Sequence, residues 1–211
     1  MTAKITRAFP IELRSELNDN KYTVTGTPAV CSQRIKVGNY FEEIIMPGAF
    51  IGCDFSDVPL FVNHDTRGIP LARSRRNNSN SSLLLTADEK GISMRTILDV
   101  PGNPQAAALY SAVERGDISG MSFAFLIRDE VWKNLDSELP LREIHSIAKV
   151  FEVSAVNHPA YDATEISARE RGALENDLRA LENAKRQLTV NSEQTKIKQL
   201  REKIKIYGGL A

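Results

Sequence analysis

Cysteine is scarce in this chain. Cys31 and Cys53 are the only two in 211 residues, and they form neither a CxxC pair nor part of a Cys/His ligand spacing. They suit free thiols packed as small hydrophobes in a reducing compartment. An excess of one charge is also missing: 27 Lys and Arg balance 27 Asp and Glu, so there is no basic footprint for a nucleic-acid partner. Long apolar runs are absent. Segments such as Val58-Pro-Leu-Phe-Val62 fall far short of the roughly 20 residues that cross a bilayer, and the first residues, MTAKITRAFP, lack an apolar h-region. The expectation is a soluble intracellular protein with no nucleic-acid or membrane partner.

Two further absences narrow the chemistry. No glycine-rich phosphate loop occurs, and His64, Asp65, His145 and His158 lack the HExxH or His-x-x-x-His spacing that sets metal ligands on one helical face. No cofactor and no metal are expected. With 42% hydrophobic residues, the chain can fold around one main core with an appendage.

The patterning predicts mixed α+β structure. Ile11 to Glu16 and Tyr22 to Gly26 flank Asn18-Asp-Asn20 as a hairpin. Met46 to Phe50 reads as a short helical turn, and Val58 to His64 as a strand ending in polar residues, which puts His64 at a strand end. The Ser- and Asn-rich stretch Arg75 to Ser82 reads as a loop. Leu83 to Ala87 and Ile92 to Asp99 form a second hairpin across Gly91. Asn103-Pro104 caps and starts a helix that Gly116 stops. Ile118 to Ile127 follows as a strand, with Met121, Phe123, Phe125 and Ile127 on one face and Ser122 and Ala124 on the other. Phe151 to Val156 reads as another strand, broken by His158-Pro159. From residue 170 to 211 the composition shifts to Glu, Lys, Arg, Leu and Ala, with leucines at helical spacing from Leu174 to Leu188. This predicts an amphipathic, coiled-coil-like tail after a domain over residues 1–169, interrupted at Thr189 to Ser192 where cap and turn residues cluster.

Alone, neither a histidine at a strand end nor a serine beside an alanine identifies catalysis. Their surroundings do more. Pro47-Gly-Ala-Phe50, Val58-Pro-Leu-Phe-Val-Asn-His-Asp65, Leu71-Ala-Arg73, Gly116-Asp-Ile-Ser-Gly-Met-Ser-Phe-Ala-Phe125 and Glu152-Val-Ser-Ala-Val156 with Pro159-Ala-Tyr161 follow in order. Together they resemble the caudovirus prohead protease family. The resemblance implies a serine protease on a herpesvirus-protease-like β-barrel flanked by helices, without cofactor, with Ser122 as nucleophile and His64 as base. Ser119 is the neighbouring decoy.

A serine hydroxyl needs a base to take its proton, and the base needs a third group to orient it. Glu152 is the candidate, because a carboxylate in the apolar run Val150-Phe-Glu-Val153 is costly without a partner. His158 ranks second, since herpesvirus proteases use a second histidine there. Backbone amides near the nucleophile or near Arg142 are candidates for the oxyanion hole.

The substrates that the resemblance implies are scaffold segments and extensions of the major capsid protein, and the enzyme itself, inside assembling proheads in the host cytoplasm or from an integrated prophage. Self-association through the C-terminal helices is expected. A catalytically silent scaffold or capsid assembly protein is the alternative.

Overall fold

Residues 4–9, 13–157 and 168–208 are described by the computed structural model. Alternation shapes its first elements. In strand β1 (Lys4–Phe9) the side chains of Ile5, Arg7 and Phe9 are buried and those between are not. Strands β2 (Arg14–Asn18) and β3 (Lys21–Val30) form the first hairpin. Its turn is Asp19-Asn20, with φ of 47° and 60°, the left-handed pair that a two-residue hairpin requires.

Strands β4 (Arg34–Val37) and β5 (Phe41–Ile45) make a hairpin that the patterning did not reveal. The stretch after Met46 winds as consecutive turns rather than a helix, with Ala49 N donating to Met46 O and Ile51 N to Gly48 O. Strand β6 (Pro59–Val62) and the short β7 (Ala72–Arg73) bracket the loop that carries His64. Strands β8 (Leu83–Asp88) and β9 (Gly91–Leu98) form the second expected hairpin. Helix α1 (Pro104–Glu114) begins where the sequence placed it: the Asn103 side chain accepts from the amides of Gln105 and Ala106, and Gly116 follows at φ 76°.

The two longest strands carry the site. Strand β10 (Gly120–Lys133) pairs antiparallel with β11 (Leu141–Val156), and β11 reaches back well before Phe151. One sheet runs β1-β10-β11-β5-β4, with β6 and β7 branching from β11, and the second runs β2-β3-β9-β8. Both β5 and β6 lie parallel to β11. The sheets share one core that includes Phe9, Val24, Ile92, Met94, Leu109, Met121, Phe123 and Val153. Gly26 allows their close approach, because a Cβ there would stand 2.6 Å from Met121 Sδ. The architecture is α+β, and strand pairing among the described residues traces two open sheets and no closed barrel.

Helix α2 (Ala168–Gly208) is continuous through Thr189 to Ser192. Its hydroxyls are turned back onto the helix, Thr189 Oγ1 to Lys185 O at 3.2 Å and Thr195 Oγ1 to Asn191 O at 2.8 Å, so the polar cluster does not break it. Near its start α2 is held to the body. Asp177, 1% exposed, accepts from Arg7 Nη2 at 2.8 Å and from Arg142 Nη1 at 2.7 Å, while Glu43 accepts from Arg7 Nε at 2.6 Å. Burial works against the Arg7 cation, but Glu43 and Asp177 more than offset it and raise its pKa. Leu181, one turn further along α2, is also buried.

Removing one partner from a buried ion network leaves charge uncompensated. Asp177→Ala is therefore expected to lower stability by about 3 kcal/mol, read from the urea midpoint. Glu182→Ala, which removes only the exposed pair with Arg186, is expected to shift it by less than about 0.5 kcal/mol.

Candidate active site

Register places the candidate nucleophile. Ser122 lies on β10 opposite Ala8 on one side and Ser154 of β11 on the other, and the next pair on the same face is Ala124 with Glu152. Directly opposed residues share a sheet face, as do residues two apart on a strand. Ser122, Ser154 and Glu152 therefore lie on one face, with Phe123 and Val153 on the other. Ser122 has no solvent exposure, and its Oγ donates to the Arg7 carbonyl at 2.8 Å.

His64 reaches this face from the end of β6. Parallel pairing of Leu60, Phe61 and Val62 with Val153, Ser154 and Ala155 sets the position of β6 along β11. Beyond it, Asn63 and His64 adopt φ of 49° and 57°, a conformation non-glycine residues rarely take. Two hydrogen bonds anchor the turn: Asn63 N donates to Ala155 O at 2.9 Å, and Asn63 Oδ1 accepts from Asn157 N at 3.1 Å. Backbone held in this region clusters at functional sites.

The result is a short contact, 2.6 Å, between His64 Nδ1 and Glu152 Oε1. A carboxylate accepts only, so Nδ1 carries the hydrogen and the basic nitrogen is Nε2. The other carboxylate oxygen, Oε2, accepts from Ser154 Oγ at 2.8 Å. Burial, with 3% exposure, pushes the Glu152 carboxyl up, yet His64's hydrogen bond and charge, with Ser154 and Lys4, bring it below its ordinary value. Ser154 was not singled out in the sequence. Its signal was there, a hydroxyl two residues from Glu152 and hence on the same strand face.

The other candidates fall elsewhere. Ser119 is exposed in the link before β10. His158 lies outside the described residues. His145 Nε2 meets Glu143 Oε2 at 3.2 Å, away from the His64 pair in the strand register. The Arg142 guanidinium is engaged by Glu130, Glu43 and Asp177. Neither thiol is poised for nucleophilic chemistry: burial and nearby Asp88 push Cys31 up to about 11, and burial and Asp54 push Cys53 up to about 12. Among the described residues no cluster of His, Cys, Asp or Glu could hold a metal ion, and no helix is long and apolar enough to cross a membrane.

The lowered Glu152 carboxyl has a consequence for stability. A depressed folded-state pKa contributes stability above the unfolded value, here near 4.5, and that contribution is lost as pH falls through the lower folded value. Glu152→Gln is therefore expected to flatten the acid side of the stability profile below about pH 4.5, measured as urea midpoint against pH. An unchanged slope would place the acid sensitivity elsewhere.

Comparison with known proteins shows which relatives this chain resembles. The chain is 28% identical over 154 residues to the "Prohead protease" of Enterobacteria phage HK97. That match covers 70% of this chain and 63% of the relative's length. No solved structure matches. Residues 9–178 match the family described as caudovirus prohead serine protease, a span that includes Ser122, His64 and Glu152. The chain belongs to that family.

Proposed function

We propose that this protein is a serine endopeptidase of prohead maturation in which Ser122 is the nucleophile, His64 the general base and Glu152 the carboxylate that orients it. The 2.6 Å contact between His64 Nδ1 and Glu152 Oε1, on the sheet face that bears Ser122, carries the reading. In the resting arrangement the Ser122 proton is directed at the Arg7 carbonyl. To react, the hydroxyl turns about χ1 toward His64 Nε2, which takes its proton as Oγ adds to the scissile carbonyl. The imidazolium so formed is stabilised by Glu152 and returns the proton to the leaving amine. Water then repeats the sequence on the acyl enzyme.

In this reading the substrates are scaffold segments and extensions of the major capsid protein, cut inside assembling proheads in the host cytoplasm. The name of the HK97 relative supports that setting. A plan like that of the herpesvirus proteases is part of the proposal, with the two sheets around one core as its basis. So is the division into a protease unit over 1–169 and a helical tail over 170–211, the start of the tail docking on the body through Asp177 and Leu181. Beyond that docking, Leu188, Val190, Ile197 and Leu200 are half exposed, which supports self-association along α2.

Co-expression with a major capsid protein as the candidate substrate tests the assignment by intact mass. Ser122→Ala is expected to abolish capsid-protein cleavage with little change in stability, and Ser119→Ala to retain it. Glu152→Gln is expected to lower the rate by about 10³- to 10⁴-fold and His158→Ala by less than about tenfold. The reverse ranking would transfer the orienting role to His158.

The tail provides a separate prediction. Thr189 to Ser192, whose side chains are exposed on α2, or residues 169–172 at its start are the expected sites of self-cleavage, and either stretch has to unwind from the helix before it is cut. Wild type should shorten with time in assembled particles while Ser122→Ala stays full length. An intact tail in mature wild-type heads would make α2 a permanent structural element.

A further inference from the structure

A cleft of about 510 Å³ opens beside the loop that carries His64. That volume is in the range of sites that enclose ligands or side chains. Three parts of the fold set its position. Asn63 and Asp65, the immediate neighbours of His64, contribute to its wall, and Ile118, which leads into the strand bearing Ser122, closes another side. Ala108 and Ala112, one turn apart on α1, complete it. Two small residues at this spacing leave open the space that a leucine or phenylalanine at either position would occupy.

Apart from Asn63, Asp65 and Gln105 the lining is apolar, and it includes the buried Leu71 and Leu109 and an Ile69 that is 76% exposed. A lone exposed isoleucine is ordinary, but one lining a concave apolar cleft loses its exposure only when something fills the cleft. The charge nearest the opening is already matched, since Asp65 Oδ1 accepts from Arg67 Nε at 2.9 Å. Among the described residues that line the cleft, a cationic side chain would find no unmatched carboxylate.

We infer that this cleft receives a bulky apolar side chain, leucine or phenylalanine in size, from the polypeptide substrate close to the scissile bond. The inference rests on the assignment of His64 and Ser122 above. An extended peptide projects its side chains alternately, about 3.3 Å apart along the chain. One whose scissile bond lies against His64 and Ser122 has a side chain within reach of a cleft walled by both neighbours of His64. Filling such a cleft rather than leaving it empty changes kcat/KM by roughly 10- to 100-fold.

The test uses the full chain with a quenched fluorogenic peptide library, in which each position around the cut is varied among Gly, Ala, Leu, Phe and Lys. Wild type is expected to favour Leu or Phe over Gly by at least about tenfold at one position beside the cut. Ala108→Trp, at an exposed helix position, is expected to reduce that ratio at least about tenfold. Glu114→Trp, on the same helix but outside the cleft, is expected to leave it unchanged. The ratio is taken within each variant, so a general loss of activity does not move it, and thermal unfolding confirms that each variant is folded.

A parallel arm measures binding without turnover. In a Ser122→Ala background, fluorescence anisotropy of a Phe-containing library peptide is compared with its Gly counterpart, with and without Ala108→Trp. A preference for Phe that Ala108→Trp removes supports the cleft even if Ser122 proves not to be the nucleophile. No apolar preference in either arm, or one that survives Ala108→Trp, overturns the inference.

Discussion

A carboxylate removed from water must be met by donors, and in this protein that requirement organises the site. Glu152 sits in an apolar strand, 3% exposed, and both its oxygens are taken: one by His64 Nδ1 and the other by Ser154 Oγ. With its partners in place the group remains ionised. Without them, the cheapest response of a buried acid is to take up a proton and lose its hold on the imidazole. The orientation of the histidine and the ionisation of the glutamate are thus one constraint seen from two residues.

The long pairing of β10 with β11 serves that constraint. Its register sets Ser122 beside Ser154 and keeps Glu152 one pair further along on the same face. The opposite face carries Phe123, stacked on Phe125 with centroids 4.4 Å apart, which commits that side to the core. A one-residue slip would exchange the faces and bury the polar set among aromatics. The bulges beyond Ala124 bend the ladder only past the pairs that hold Ser122 and Glu152. At the far end of β11, Arg142 joins Glu43, Arg7 and Asp177, so the strand that holds the carboxylate also holds the start of α2.

Much of this was legible in the sequence, and the parts that were not share a cause. The capped helix α1, both expected hairpins and the aromatic stripe of β10 follow from local chemistry, and local chemistry was enough to find them. Strand β5 and the first half of β11 were missed because Glu42-Glu43 and Arg142-Glu143 look solvent-facing in a linear reading. Their charges are matched across strands, Glu43 by Arg7 and Arg142, Glu143 by Lys133, and only the fold discloses that. The proposed break in α2 failed for a related reason, since hydroxyls that could cap a new helix bond back to the carbonyls of the old one. His64 and Ser122 were put forward through family resemblance, and Glu152 through the cost of a carboxylate in an apolar strand. The contact of His64 with Glu152 depends on β6 lying parallel to β11, and no periodicity records that.

That parallel pairing also bears on the order in which the molecule assembles. Each hairpin closes a short loop, whereas the contact of His64 with Glu152 joins residues 88 positions apart. The entropy of such a closure must be met before the contact returns anything, so pairings of this kind are expected late in folding. Strand β6 needs β11 already in place before it can dock beside Val153 and Ala155. The oriented imidazole therefore waits on strands far apart in the chain, and on the proposed assignment a chain in which β6 has not docked has no competent base. On that assignment, chain topology itself withholds cleavage while the backbone is still open to attack.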